Sequence, residues 1–276
     1  MRFSLRHVIL AAWIALPAAL AAAQPVFAAG GTSWIFPNPV SPNGERIYQL
    51  YQWITIPAVI VFLGVEIGLL YIIFRFRRRG PDHVGKPVHG NVPLEIAWFM
   101  APTLIVALIA TLSFLELQQD FQKPTDAETQ MNITVTGTQF TWFYDYPDNG
   151  GLRARDTMVV PTDTFVRLTF ESTDVIHSWW VPAISGKTDA VPGYQNFSWL
   201  KISSSKLSDC GGGSGDHTQT GCKWHGECAE LCGVGHFGMQ IDVEAMPQSD
   251  FQAWVAKQQA ASRQPSPKAS PSPKGP

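Results

Sequence analysis

Charge is scarce in this chain. Asp, Glu, Lys and Arg make up 15% of its 276 residues, against roughly 25% in soluble domains. The formal net charge of −2 leaves no basic surface, and that excludes a nucleic-acid binder of the usual electrostatic kind. No Cys-x-x-Cys-His occurs, which excludes a covalently attached c-type haem within this stretch. What is abundant instead is apolar side chain, 45% of the total, clumped into runs rather than spread periodically. Clumping of that kind points to a membrane, and the length allows one or two domains besides.

Residues 1–28 carry the marks of a secretory signal. Arg2 and Arg6 form a positive start, Val8 to Ala23 is an Ala-rich apolar run, and Val26-Phe27-Ala28 offers a small-residue cleavage site. An uncleaved third membrane helix is the alternative. Either way residues 29–49 begin outside the cytoplasm. Ile54 to Phe74 and Ile96 to Phe114 then match the roughly 20 apolar residues that a helix needs to cross the hydrocarbon. These runs predict membrane helices over 50–75 and 93–117. Between them, the loop 76–92 follows Arg75 and holds Arg77, Arg78, Arg79 and Lys86, so it belongs on the cytoplasmic side. A helical hairpin with its bend in the cytoplasm follows. Glu66 lies mid-span, where a carboxylate is costly unless it meets protein or water. Glu95 opens the second span, where the helix dipole favours it.

After a linker, 118–130, the pattern changes to short alternating runs. Met131 to Thr136, Thr164 to Phe170 and Gly238 to Glu244 alternate, and Pro147-Asp-Asn-Gly150 and Pro161-Thr-Asp163 punctuate them. An all-β sandwich or barrel over 131–255 is expected. Residues 256–276 are dominated by Gln, Ser, Lys and Pro and are expected to be a disordered tail.

The densest chemistry lies in Cys228-Ala-Glu-Leu-Cys232-Gly-Val-Gly-His236-Phe-Gly-Met239. Thiolate, thioether and imidazole together select copper, and a weak Met ligand is typical of electron-transfer sites. A mononuclear blue-copper site needs one Cys and two His. Here the stretch holds two Cys and one His, so two thiolates could bridge two copper ions. The second imidazole must come from elsewhere, and His177 in Asp174-Val-Ile-His177-Ser-Trp-Trp180 is the candidate. Rival readings are a plain Cys228–Cys232 disulfide, a tetrahedral zinc site that leaves Met239 unused, and a Rieske cluster, which lacks its His close behind each Cys.

The pattern C-x-E-x-C-x3-H-x2-M, preceded by His177-Ser-Trp179 and by Lys187-Thr-Asp-Ala-Val-Pro-Gly193, resembles subunit II of the cytochrome c oxidases. The likeness runs from about Tyr48 to Met246. It implies a two-helix membrane hairpin followed by a cupredoxin-like domain, anchored in a bacterial inner membrane with that domain on the periplasmic or outer side. It also implies a dinuclear copper centre (CuA) held by His177, Cys228, Cys232, His236, Met239 and the Glu230 carbonyl. This centre would take electrons from cytochrome c and pass them to the haems of subunit I, for oxygen reduction coupled to proton translocation. Subunit III is a further implied partner. The Glu230 side chain is placed at a magnesium or manganese ion on the subunit I interface, and Glu95 at the mouth of a proton pathway. A copper subunit of a nitric oxide reductase and a membrane-tethered copper carrier are the alternatives. A quinol oxidase is disfavoured, since that branch lacks the copper ligands.

Two departures stand out. Relatives place a Trp after the Gln of G-x-Q-W-x-W, where electrons come in; here the run is Gly137-Thr-Gln139-Phe140-Thr-Trp142. Phe140 and Trp142, on one face if the strand alternates, are the candidates, with Asp145, Asp148, Asp174 and Asp189 to steer a basic donor. The second departure is the Gly-rich loop from Cys210 to Cys222. Once Cys228 and Cys232 are given to copper, the remaining pairing joins Cys210 to Cys222. His217 in this loop is expected to be solvated, and His225 is given no role.

Overall fold

The computed structural model describes residues 36–77, 80, 89–120 and 125–263. The expected signal peptide, most of the loop expected on the cytoplasmic side and the tail beyond Arg263 lie outside the described residues. The described chain divides into a helical unit that begins at Glu45 and a β unit formed by residues 36–44 and 125–263.

Helix α1 spans Pro42–Arg75 and helix α2 spans Val92–Asp120. Both are long and apolar enough to cross a membrane. Ile60, Phe62, Phe99 and Leu104 are exposed. A helix apolar all round has to be covered by lipid or protein. Helix α1 starts well before the expected residue 50. Ser41 Oγ accepts a hydrogen bond from the Gly44 N–H at 3.0 Å, and Pro42 fills the first turn, where its missing N–H costs nothing. The polar first turns hide this start from a hydropathy reading. Asn91 caps α2 by accepting from Leu94 N at 3.2 Å, and Glu95 Oε1 accepts from Asn91 N at 3.0 Å.

The β unit is a two-sheet sandwich. Its strands are β1 (Met131–Thr138), β2 (Thr141–Tyr146), β3 (Leu152–Arg155), β4 (Thr157–Pro161), β5 (Val166–Ser172), β6 (His177–Trp180), β7 (Thr188–Ala190), β8 (Asn196–Leu200), β9 (Asp216–His217), β10 (Cys222–Cys228) and β11 (Gln240–Met246). One sheet has the order β3-β2-β1-β5-β8; the other runs β4-β11-β10-β6-β7, with β9 pairing β10. The pairs β1–β5 and β4–β11 are parallel. Alternation dictates the inner faces: Ile133, Val135, Tyr144, Tyr146, Leu168 and Phe170 point inward from the first sheet, and Met158, Val160, Trp179, Trp224, Ile241 and Val243 from the second. Two tyrosine hydroxyls tie strands together inside this core. Tyr146 Oη donates to Val159 O and accepts from Val159 N, at 3.0 and 2.8 Å. Tyr144 Oη accepts from Trp179 Nε1 at 3.3 Å.

The segment before α1 and the first turn of that helix are docked on this sandwich. Val40 is buried, its N–H donates to Ala183 O at 2.9 Å, and Asn43 Nδ2 donates to Trp199 O at 2.9 Å. Cys210 and Cys222 are joined in a disulfide, and the Gly-rich loop that they close lies against Val40. A Cβ on Gly211 would come within 2.4 Å of Val40 Cγ1.

The C-terminal part differs from expectation. Helix α3 runs Gln248–Arg263, past residue 256, where a disordered tail was expected to begin. Phe251 and Val255, one turn apart, are buried, Trp254 packs on Tyr146 with ring centroids 5.5 Å apart, and Gln259 Nε2 donates to Asn149 O at 2.8 Å. Those anchors, with helix-forming Ala, Gln and Lys between them, outweigh the polar composition.

Candidate metal centre

The Cys-rich stretch is the connection of the β10–β11 hairpin. Strand pairing sets both of its ends: Glu227 faces Gln240, Cys228 N donates to Met239 O at 3.0 Å, and Ala229 N donates to Ser178 O at 2.8 Å. Cys228 also stands opposite Trp179 of β6, so the first residue of that strand, His177, arrives beside the loop. A short 3-10 turn, His236–Gly238, then brings His236 and Met239 back under Cys232.

The donor atoms converge. Cys228 Sγ and Cys232 Sγ are 4.0 Å apart, Cys228 Sγ is 3.9 Å from His177 Nδ1, and Cys232 Sγ is 3.6 Å from His236 Nδ1 and 3.8 Å from Met239 Sδ. The Glu230 carbonyl oxygen is 3.3 Å from Cys228 Sγ. His177, Cys228, Cys232 and Met239 are buried, whereas His236 is only half-buried.

Both cysteines are free, and a disulfide needs sulfurs about 2.05 Å apart. A metal–thiolate bond is about 2.3 Å long, so sulfurs at this separation can both bind one metal ion. Thioether and carbonyl oxygen on either side of a dithiol–diimidazole set exceed what tetrahedral zinc uses, and this soft set suits copper. Burial, followed by the neighbouring Cys228 thiol, pushes the Cys232 thiol up to about 11. Metal binding must therefore displace protons.

His177 is held from behind. Its Nε2 faces Asp174 Oδ1 at 2.9 Å, and Asp174 Oδ2 accepts from Gln139 N at 2.7 Å. This leaves Nδ1 to face the sulfurs, the usual carboxylate–histidine support of a metal ligand. On the other side of the ring, a Cβ on Gly137 would lie 2.9 Å from His177 Cδ2, so only glycine lets the imidazole sit here. Asp174 was expected among the steering acids; it is instead committed to the site. Its signal in the sequence was the three-residue spacing ahead of His177.

The other expected residues fall as follows. Trp142 is fully buried, with its ring edge-on to His177 at 5.8 Å between centroids. Phe140 is half-buried in the turn between β1 and β2, ahead of the first residue of β2. Strand alternation therefore does not relate the two, and Trp142 offers no surface to a donor. The Glu230 side chain is exposed. Glu95 lies at the start of α2, engaged in the cap described above. The grouping of Cys210, Cys222 and His217 has no thiolate to offer, because its sulfurs are bonded to each other. His225 bridges Asp242 Oδ1 and Asp216 Oδ2 at 2.7 and 2.9 Å. Sequence reasoning did not find that bridge.

Comparison with known proteins adds an independent line. The family described as cytochrome C oxidase subunit II, transmembrane domain, matches residues 30–115. The family described as cytochrome C oxidase subunit II, periplasmic domain, matches residues 150–208, short of the ligand loop. The chain is 31% identical over 233 residues to cytochrome c oxidase subunit 2 of Alkalihalophilus pseudofirmus, a match covering 83% of this chain and 63% of that protein's length. It is 30% identical to a protein of Rickettsia felis described as a probable cytochrome c oxidase subunit 2, over 88% of this chain and 78% of that one. Among solved structures, the periplasmic domain of subunit II of cytochrome oxidase from Bradyrhizobium japonicum matches at 30% identity and a TM-score of 0.40. That match covers 48% of this chain and 96% of that one.

Proposed function

The chain belongs to the cytochrome c oxidase subunit II family, and on that premise we propose that it is the electron-transfer subunit of a respiratory oxidase. It receives electrons from cytochrome c at a dinuclear copper centre and delivers them to the haems of a partner subunit I, where oxygen is reduced and protons are translocated. Subunit III is the other expected neighbour. The two apolar helices anchor the chain in the bacterial inner membrane, with the β unit on the periplasmic or outer side.

One observation carries the reading: the free thiols of Cys228 and Cys232 stand 4.0 Å apart, with imidazole and thioether donors within 4 Å of them. A pair of copper ions bound there would supply a one-electron carrier. Cys228 and Cys232 would give the thiolates that hold it, His177 and His236 an imidazole each, and Met239 and the Glu230 carbonyl the weaker contacts. Asp174 keeps the His177 ring turned toward the sulfurs, and burial keeps water off the thiolates. Leu231, Val234 and Phe237, on the same loop, are 78%, 92% and 88% exposed. An apolar rim of this kind fits a partner subunit better than water.

Metal analysis of the full-length protein tests this. Two coppers per chain, lost in Cys228→Ser, are expected; a single blue copper, or zinc alone, refutes it.

Two further roles rest on the same family reading. The exposed Glu230 carboxylate binds a magnesium or manganese ion at the subunit I interface, since such ions prefer oxygen ligands and keep several waters. Loss of that ion in Glu230→Gln is the measurement. Glu95 gathers protons at the cytoplasmic end of α2, besides capping it. Glu95→Gln should slow proton uptake with copper intact, and unchanged turnover from neutral to alkaline pH leaves it the capping role alone.

A further inference from the structure

The middle of the ligand loop, Cys232 to Gly235, is the part that strand pairing does not reach. Its internal ties are turn bonds, such as His236 N to Gly233 O at 3.1 Å. What meets it from outside is the tip of the β1–β2 hairpin, where Gln139 and Phe140 form a two-residue turn between the paired Thr138 and Thr141.

Gln139 Nε2 donates to the carbonyl of Cys232 at 2.6 Å, across 93 residues of sequence. The Phe140 ring lies on the backbone of the next residues. A Cβ on Gly235 would stand 2.5 Å from Phe140 Cγ and Cδ2, and one on Gly233 would stand 3.2 Å from Phe140 Cε1 and Cζ and 2.9 Å from Gln139 Nε2. Gly233 also has a φ of +133°, which side-chain-bearing residues avoid. Both glycines thus clear the seat of this ring. The same turn is tied to the other ligand segment, since Asp174 accepts from Gln139 N and faces His177 Nε2.

We propose that Gln139 and Phe140 are positioning residues: the hairpin tip holds the segment carrying Cys232 and His236 in its metal-binding shape before the metal arrives. Gln139 fixes where the Cys232 backbone sits, and Phe140 presses the Gly233–Gly235 backbone flat, which sets the direction of His236. Pre-organised donors of this kind hold a metal in one geometry and raise its affinity. This role is separate from any passage of electrons through the Phe140 ring, and it rests on the copper reading only for its spectroscopic consequences.

The test uses the full-length protein with Gln139→Ala, Phe140→Ala and Phe140→Tyr. In the reduced, metal-free protein, amide exchange of Leu231 to Gly238 should quicken about fivefold in Gln139→Ala, the equivalent of one net hydrogen bond, and more in Phe140→Ala. The β10 and β11 amides should stay unchanged. In the copper-loaded protein both alanine variants should still hold two coppers, but with shifted absorption bands, a changed reduction potential and faster loss to a chelator. Phe140→Tyr, which keeps the ring, should restore the wild-type values. Loop exchange, spectrum and chelator rate like wild type in both alanine variants overturn the proposal. A wild-type protein without two coppers refutes the copper reading instead, and the metal-free exchange still decides the role of the tip.

Discussion

Replacing Asp174 by Asn keeps the side chain's shape and removes its charge, and the hydrogen bonds around it allow the cost to be worked out. Oδ1 accepts from Val175 N at 2.7 Å and faces His177 Nε2 at 2.9 Å; Oδ2 accepts from Gln139 N at 2.7 Å. An Asn amide must turn its NH2 toward one of these sides, and each side already presents a donor. The cheaper orientation keeps the oxygen toward Val175 and His177 and faces the NH2 against Gln139 N, forfeiting that bond. In both orientations the imidazole loses its charged partner. Charge-assisted bonds are worth about 1.5–3 kcal/mol, and loss of such a partner behind a ligand costs roughly 10–100-fold in metal affinity.

The assay is competition for copper against a chelator at neutral pH. A dissociation constant within twofold of wild type, with an unchanged spectrum, would refute the reasoning. Burial pushes the Asp174 carboxyl upward, but the hydrogen bonds from Gln139, His177 and Val175 together outweigh it and hold the group below the ordinary range. A depressed carboxyl stabilises the fold above its unfolded value of about 3.9 and loses that contribution only as pH falls through the lower folded value. The Asp174 network should therefore persist across the neutral range and fail only in strong acid.

Phe140→Ala should slow electron uptake from a basic cytochrome c more than Trp142→Phe does, and uptake should weaken with salt; equal rates in stopped-flow mixing, or oxidation of quinol alone, overturn that assignment of donor. Removing the disulfide with Cys210→Ala and Cys222→Ala frees a loop of sequence separation 12. Chain entropy puts the loss at about 3 kcal/mol, readable in urea unfolding of the β unit's tryptophans, and an unchanged midpoint counts against it. Asp216 first, and then Asp242, raise the pKa of His225 against burial. Stability from this bridge is complete below about pH 6.5 and is lost as pH rises through the higher folded value. The bridge is exposed, so the effect should stay under about 1 kcal/mol. His225→Gln should abolish that slope in the thermal midpoint, and a slope that survives the substitution rules the bridge out.

What was legible in the sequence is what is local along it. Cys228, Cys232, His236 and Met239 share a single hairpin connection, so their residue types and spacing already pointed to a candidate soft-metal site. The two membrane spans were legible because apolar length needs no packing partner to be seen. Their capped ends were not: the polar turns after Ser41 have no hydropathy signal, and a capping hydrogen bond is needed to start the helix there. The partners of these candidate ligands belong to the tertiary structure. His177 meets Cys228 across 51 residues of sequence and Gln139 meets Cys232 across 93, and only the order of strands in the two sheets brings them together. The same holds for Phe140 and Trp142, which a period of two puts on one face. The turn at Gln139–Phe140 breaks the period, sending one ring onto the ligand loop and the other into the core. Periodicity and composition report how a segment prefers to fold; which segment it then faces is settled by the packing of the whole sandwich.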